Sequence, residues 1–159
     1  MRRRVVLFLA IVLLIAGVAA GVILVRDRES GTFADPGKVE LPSVGGDRAE
    51  TITYLGPSGQ GAVVREVLAI SRGYYEARAR PSNSECQGVI DEKLPALGSP
   101  DEVYAAAAGV PDRATADMAI NHIDALGRFL AACALHDRDD RDELRFTGVV
   151  LERRLSSLT

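Results

Sequence analysis

The sequence holds two histidines, two cysteines and two lysines among 159 residues, and each shortage excludes a class of chemistry. His122 and His136 are fourteen residues apart. Even on one continuous helix that spacing is about 21 Å, so the two cannot share a metal ion. The cysteines, Cys86 and Cys133, form no C-x-x-C pair of the kind that a redox couple uses. Neither follows the N-terminal apolar run closely, which excludes a lipoprotein. Also lacking are the G-x-S-x-G elbow of a serine hydrolase, the G-K-[ST] ending of a phosphate-binding loop and the G-x-G-x-x-G fingerprint. These gaps give no reason to expect an enzyme, a cofactor or a metal.

Charge is missing in two further places. No acidic residue precedes Asp27, so residues 26–159 carry all 22 acids but only 16 of the 19 basic residues, a net charge of −6. Nucleic acid is therefore a poor partner, because phosphate contacts dominate that affinity and would be repelled. Lys38 and Lys93 are the only lysines, and the preference for Arg and Ala points to a GC-rich bacterial coding bias. The second gap is the run from Val5 to Val25, 21 residues without a charge. As a helix it would span roughly 31 Å, about the thickness of the hydrocarbon core, and backbone in lipid has to be helical to satisfy its own hydrogen bonds.

Arg2, Arg3 and Arg4 precede this run, and Arg26 and Arg28 follow it. That excess places a cytoplasmic tip at residues 1–4 and the remainder outside. A cleaved signal peptide competes with this anchor, since Val18-Ala19-Ala20 suits cleavage. Against it, the apolar run continues through Val25, past where a signal core ends. Gly17 and Gly21 form a G-x-x-x-G pair through which two membrane helices could dimerise.

What is present beyond the run divides in two. Residues 26–61 are rich in Gly, Pro, Ser and charge, which reads as a linker or stalk. Within it, Glu50 to Leu55 is strand-like, with Ile52 and Tyr54 on one face. Gly56-Pro-Ser-Gly59-Gln-Gly61 then resembles a phosphate-cradling turn, but without its lysine it reads as a plain entry to a helix.

Residues 62–159 have helical periodicity. Val64, Val67, Leu68, Ser71, Tyr74 and Tyr75 line a helix over about 62–79, which Pro81 stops. Two capping boxes follow, Ser82 to Glu85 and Ser99 to Glu102. The first opens a helix reaching about Leu94, before Pro95. The second, with Pro100 at the first position, opens a helix from Pro100 to Ala108. Pro111 starts the longest helix, to about His136, with Ile120, Ile123, Leu126, Leu130 and Cys133 as its buried stripe, Phe129 at its edge and His122 on its surface. The last, about 140–157, is capped by Asp139 or Asp140 and buries Leu144, Thr147, Leu151, Leu155 and Leu158.

The fold class is thus all-α. One transmembrane helix over 5–25 carries, on a stalk over 26–61, an antiparallel bundle of about four main helices over 62–159. Export with an even cysteine count predicts a disulfide between Cys86 and Cys133, closing about 47 residues and worth roughly 4 kcal/mol in the chain-entropy account. The acidic run from His136 to Glu143 fails as a calcium loop, because Arg141 stands at the third ligand position and no Gly follows.

The function expected is a protein-interaction module in the cell envelope, held in the lipid bilayer by residues 5–25 and docking an unknown envelope protein. The alternative is an apolar-ligand domain with Tyr74, Tyr75 and Phe129 around a pocket between helices.

Overall fold

A computed structural model describes residues 34–45, 47–135 and 141–159. The expected transmembrane helix over 5–25, its Gly17/Gly21 face, and residues 136–140 with the Asp139 and Asp140 caps lie outside the described residues. Among the described residues no helix is long and apolar enough to cross a membrane. They are helical, without a strand, in six helices: α1 (Arg48–Tyr54), α2 (Ala62–Tyr75), α3, α4 (Pro100–Ala108), α5 (Arg113–Ala134) and α6 (Arg141–Leu158). Helix α3 is composite, α-helical over Asn83–Gly88, widened to a π-turn over Val89–Lys93, and α-helical again over Leu94–Leu97.

Helix α2 ends at Tyr75, short of the expected 79 and well before Pro81. Three other local outcomes differ from the sequence reading, each for a physical reason. The strand-like run belongs to α1, within the segment read as stalk. Thr51 and Leu55, one helical turn apart, are both fully buried, and the Thr51 hydroxyl accepts the backbone N–H of Asp112 at 3.0 Å. Packing at i and i+4 overrides the β preference of a TIT run. Helix α3 does not stop before Pro95. The Leu94 N–H reaches back to the Val89 carbonyl, and this extra residue per turn lets the chain pass a proline that has no N–H to donate. Helix α5 begins at Arg113, two positions later than expected, because Asp112 is its N-cap, accepting from the Thr115 N–H at 2.9 Å. Both capping boxes form, at Ser82/Glu85 and Ser99/Glu102.

Helix α5 is central and packs on α2, α3, α4 and α6. Contacts between its residues and α6 pair Thr115 with Arg154, His122 with Thr147 and Arg128 with Glu143. Position rises on one helix as it falls on the other, so the two are antiparallel. Leu126, Leu130 and Cys133 of the expected α5 stripe are buried, but the buried face is wider than that stripe and leaves out its two isoleucines. Thr115, Ala119, His122, Leu126, Phe129 and Cys133 are buried, while Ile120 and Ile123 are half-buried against the core's margin. A helix covered by four neighbours buries small and polar residues where they approach closest, alongside the larger Leu126, Phe129 and Leu130.

The core forms two clusters. One gathers Leu55, Val64, Leu68, Leu151, Leu155 and Leu158, and the other Val67, Val89, Leu126, Phe129, Leu130 and Leu144 with the two cysteines. Cys86 and Cys133 are disulfide-bonded with Cα atoms 6.1 Å apart, within the usual window. Reduction should lower stability by about 2–4 kcal/mol, the entropic ceiling for so long a loop lying at the top of that range. Urea unfolding with and without reductant measures it, and coincident curves would contradict it.

Gly127 is exposed in the middle of α5, and a Cβ added there would meet no atom within 4 Å. Gly127→Ala should therefore stabilise the domain by about 0.5–1 kcal/mol through helix propensity alone. A lower midpoint in urea would show that the position has a role the packing does not reveal.

Candidate functional site

Three polar arrangements distinguish this bundle, and two of them are internal. At the first, His122 is 1% exposed where its helix meets α2 and α6. Its Nε2 is 2.6 Å from the hydroxyl of Ser71 and its Nδ1 is 3.0 Å from that of Thr147. Each hydroxyl also reaches a carbonyl of its own helix, Ser71 to Leu68 at 2.9 Å and Thr147 to Glu143 and Leu144 at 3.1 Å. In either neutral tautomer the ring donates to one hydroxyl and accepts from the other, and the hydroxyl that accepts from the ring is the one free to donate to its helix carbonyl. Burial lowers the imidazole pKa to about 4, against a smaller opposing pull from Glu152. A serine touching a histidine is half of a nucleophilic site. Here the serine is fully buried and the third partner is a hydroxyl, so the arrangement ties three helices together and offers no nucleophile to solvent.

The second arrangement centres on Asp112 and Arg154, whose side chains are 7% and 1% exposed. Arg154 Nη2 donates to Asp112 Oδ2 at 2.6 Å and Nε donates to the Thr115 hydroxyl at 2.9 Å. That hydroxyl in turn donates to Asp112 at 2.5 Å. Two further guanidinium protons go to the carbonyls of Pro42 and Ser43. Arg153 adds bonds to the carbonyls of Pro36 at 2.5 Å and Val39 at 3.0 Å. Burial alone would raise the Asp112 pKa, but the hydrogen bonds from Arg154 and Thr115 outweigh it and hold the carboxyl at about 2. Residues 36–45 are in this way strapped to α5 and α6.

The third arrangement faces solvent. A groove of about 420 Å³ runs between α2 and α3, bordered by Ile70, Gly73 and Tyr74 on one side and Glu85, Gly88, Val89, Glu92 and Lys93 on the other. Its features follow from local sequence. Gly73 and Gly88 leave the walls bare, since a Cβ at either would meet nothing within 4 Å. The π-turn begins at Val89, and such turns recur at functional sites. The disulfide fixes the α3 wall through Cys86, two residues before Gly88. Tyr74 rests on Phe129 with ring centroids 5.4 Å apart, and burial together with the nearby Glu85 raises its hydroxyl pKa. A second groove of about 330 Å³, between α2 and α6, is crossed by an Arg72–Glu152 ion pair whose charges answer one another.

Of the aromatic trio expected around a pocket, Tyr74 alone borders the groove. Phe129 is 2% exposed beneath it. Tyr75 turns away to α6, where its hydroxyl donates to Glu152 at 2.6 Å and its ring lies 2.6 Å from where a Gly148 Cβ would be. The Gly56–Gly61 turn is a closed loop. The amides of Gly59, Gly61, Ala62 and Val64 donate to the carbonyls of Gly56, Tyr54, Gly59 and Gly61, which leaves those amides unavailable to a phosphate.

Among the described residues no three His, Cys, Asp or Glu side chains gather as a metal site. Sequence reasoning missed His122 as a core residue, and it missed the Asp112–Arg154 hub altogether. The visible signal for the hub was an acid at an N-cap position and an Arg on a helix stripe made mostly of leucines. No protein-family model, curated protein or solved structure matches this chain.

Proposed function

We propose that this chain is a protein-interaction module of the cell envelope, anchored in the bilayer by residues 5–25 with its helical domain on the extracytoplasmic side. The observation that carries this reading is the α2–α3 groove. It is open to solvent, bare at two glycines, bordered by a π-turn and stiffened by a disulfide next to its wall. The bond itself supports an oxidising compartment, where such cross-links persist. Enzymatic activity has less support, because the one nucleophile–histidine contact among the described residues lies inside the core. The apolar-ligand alternative has lost two of the three aromatics it needed at one pocket.

The test is photocrosslinking in intact envelopes. A crosslinking amino acid at Gly73 should capture a defined protein, whereas one at exposed Arg113 should not. Capture from Gly73 should disappear in a Gly88→Leu background, in which the groove is filled. Identical capture from both positions, or none from either, would defeat the reading. Reporter fusions after Thr159 test the orientation, since a signal from a cytoplasm-only reporter would reverse it.

A further inference from the structure

We infer that the α2–α3 groove receives an arginine side chain presented by the partner protein. This rests on the interaction reading above and adds the chemistry of the partner. Two carboxylates, Glu85 and Glu92, stand seven residues apart on α3 and border the same groove. Glu85 is held in position before any partner arrives: its Oε2 accepts from the Ser82 N–H at 2.6 Å and the Ser82 hydroxyl at 2.7 Å. The same bonds keep its carboxyl below the usual range, so it stays ionised. A fixed anion is what a guanidinium finds with least reorganisation.

The rest of the groove suits the remainder of that side chain. Ile70, Val89 and the bare faces of Gly73 and Gly88 offer an apolar path for the methylene stem, which a long cationic residue buries while its head stays polar. Tyr74, braced by Phe129, supplies a ring against which a planar cation stacks. Lys93 on the rim offsets one of the two carboxylates, leaving the lining with a net charge of −1. An acidic segment or an anionic lipid would meet that charge unfavourably, as it would the −6 of residues 26–159.

The glycines make the test clean. Gly88 has ordinary right-handed helical angles, φ −60° and ψ −34°, and open space beside it, so Gly88→Leu fills the groove without straining the fold. The probes are fluorescein-labelled nonapeptides of Ser and Leu whose central residue is Arg, its uncharged near-isostere citrulline, or Glu. Binding to the full chain in nanodiscs is read by anisotropy. The Arg peptide should bind, and citrulline should weaken it about tenfold or more, as expected for loss of a charge-assisted bond. The Glu peptide should not bind. Glu85→Gln with Glu92→Gln, and separately Gly88→Leu, should each weaken the Arg peptide to a similar extent.

Equal binding of the Arg and citrulline peptides, or an unchanged Gly88→Leu variant, overturns the inference. Were no peptide to bind while position-specific crosslinking from Gly73 persisted, the cationic class would be wrong and the interaction reading would survive. Failure of both would remove both.

Discussion

Arg154→Met should destabilise the domain by about 3–5 kcal/mol, the range for removing one partner of a buried ion pair. The hydrophobic stem is kept, so the loss isolates the guanidinium. Without it Asp112 becomes a buried carboxylate with no cation beside it, held only by the Thr115 hydroxyl and the backbone N–H groups of Thr115 and Gly45, and the carbonyls of Pro42 and Ser43 lose a donor. An unsatisfied buried acceptor costs about 1–3 kcal/mol by itself. Asp112→Ala should cost less than Arg154→Met plus its own N-cap contribution of about 0.5–2 kcal/mol, and the double variant should show a coupling of the same order as the single losses. A second readout separates this hub from generic core damage. The Pro42 and Ser43 carbonyls hold residues 36–45 to α6, so Arg154→Met should expose that segment to limited proteolysis at temperatures where the bundle is still folded. A urea midpoint within about 0.5 kcal/mol of the unmutated protein would mean that the buried pair contributes little beyond what water supplies to both groups.

The parts of this fold that could be read from sequence are those set by neighbours in the chain. Ser82 and Ser99 each have a glutamate three residues on, and both capping boxes form because the whole motif fits within one helical turn. Val64, Val67 and Leu68 are buried as their spacing predicts, and so are Leu144, Leu151 and Leu155. The cysteine pair was legible because only two exist. What could not be read depends on partners far along the chain. Helix α1 is helical because Thr51 meets Asp112, 61 residues away. His122 is a core residue because Ser71 and Thr147, 51 and 25 residues away, bring their hydroxyls to its ring. A histidine beside Asn121 gives no local sign of such partners, so exposure was the natural reading. The π-turn in α3 is an intermediate case. Pro95 announces a disturbance, but whether the helix stops or widens is decided by what Leu94 and Leu97 pack against. The groove inherits this limit. Gly73, Gly88 and Tyr74 were all visible as letters, and only the pairing of α2 with α3 turns two missing side chains into one opening.

Acid should destabilise the domain in two stages that belong to different residues. The His122 imidazole is buried and titrates at about 4 in the folded state, against 6.5 in an unfolded chain. Between those values the unfolded state binds a proton that the folded state refuses, so stability falls as the pH is lowered through this window and is flat above it. The difference amounts to about 3 kcal/mol when complete. Asp112 behaves as a depressed carboxyl, at about 2 when folded against 3.8 when unfolded. Its contribution is fully present above about pH 4 and is lost as the pH falls toward 2, a further loss of about 2 kcal/mol. Urea unfolding at pH 7, 5.5, 4 and 3 should therefore show a decline that begins below about 6.5, well above the carboxylate range. His122→Gln removes the titrating ring while keeping a donor and an acceptor near Ser71 and Thr147. It should flatten the upper stage and leave the lower one, whatever its effect on absolute stability. Imidazole resonances followed by NMR give an independent check, since His122 should hold its neutral shift down to about pH 5. A midpoint near 6.5 for that ring, or an unchanged upper stage in His122→Gln, would mean that water reaches the node and that the three-helix junction opens far more readily than its hydrogen bonds imply.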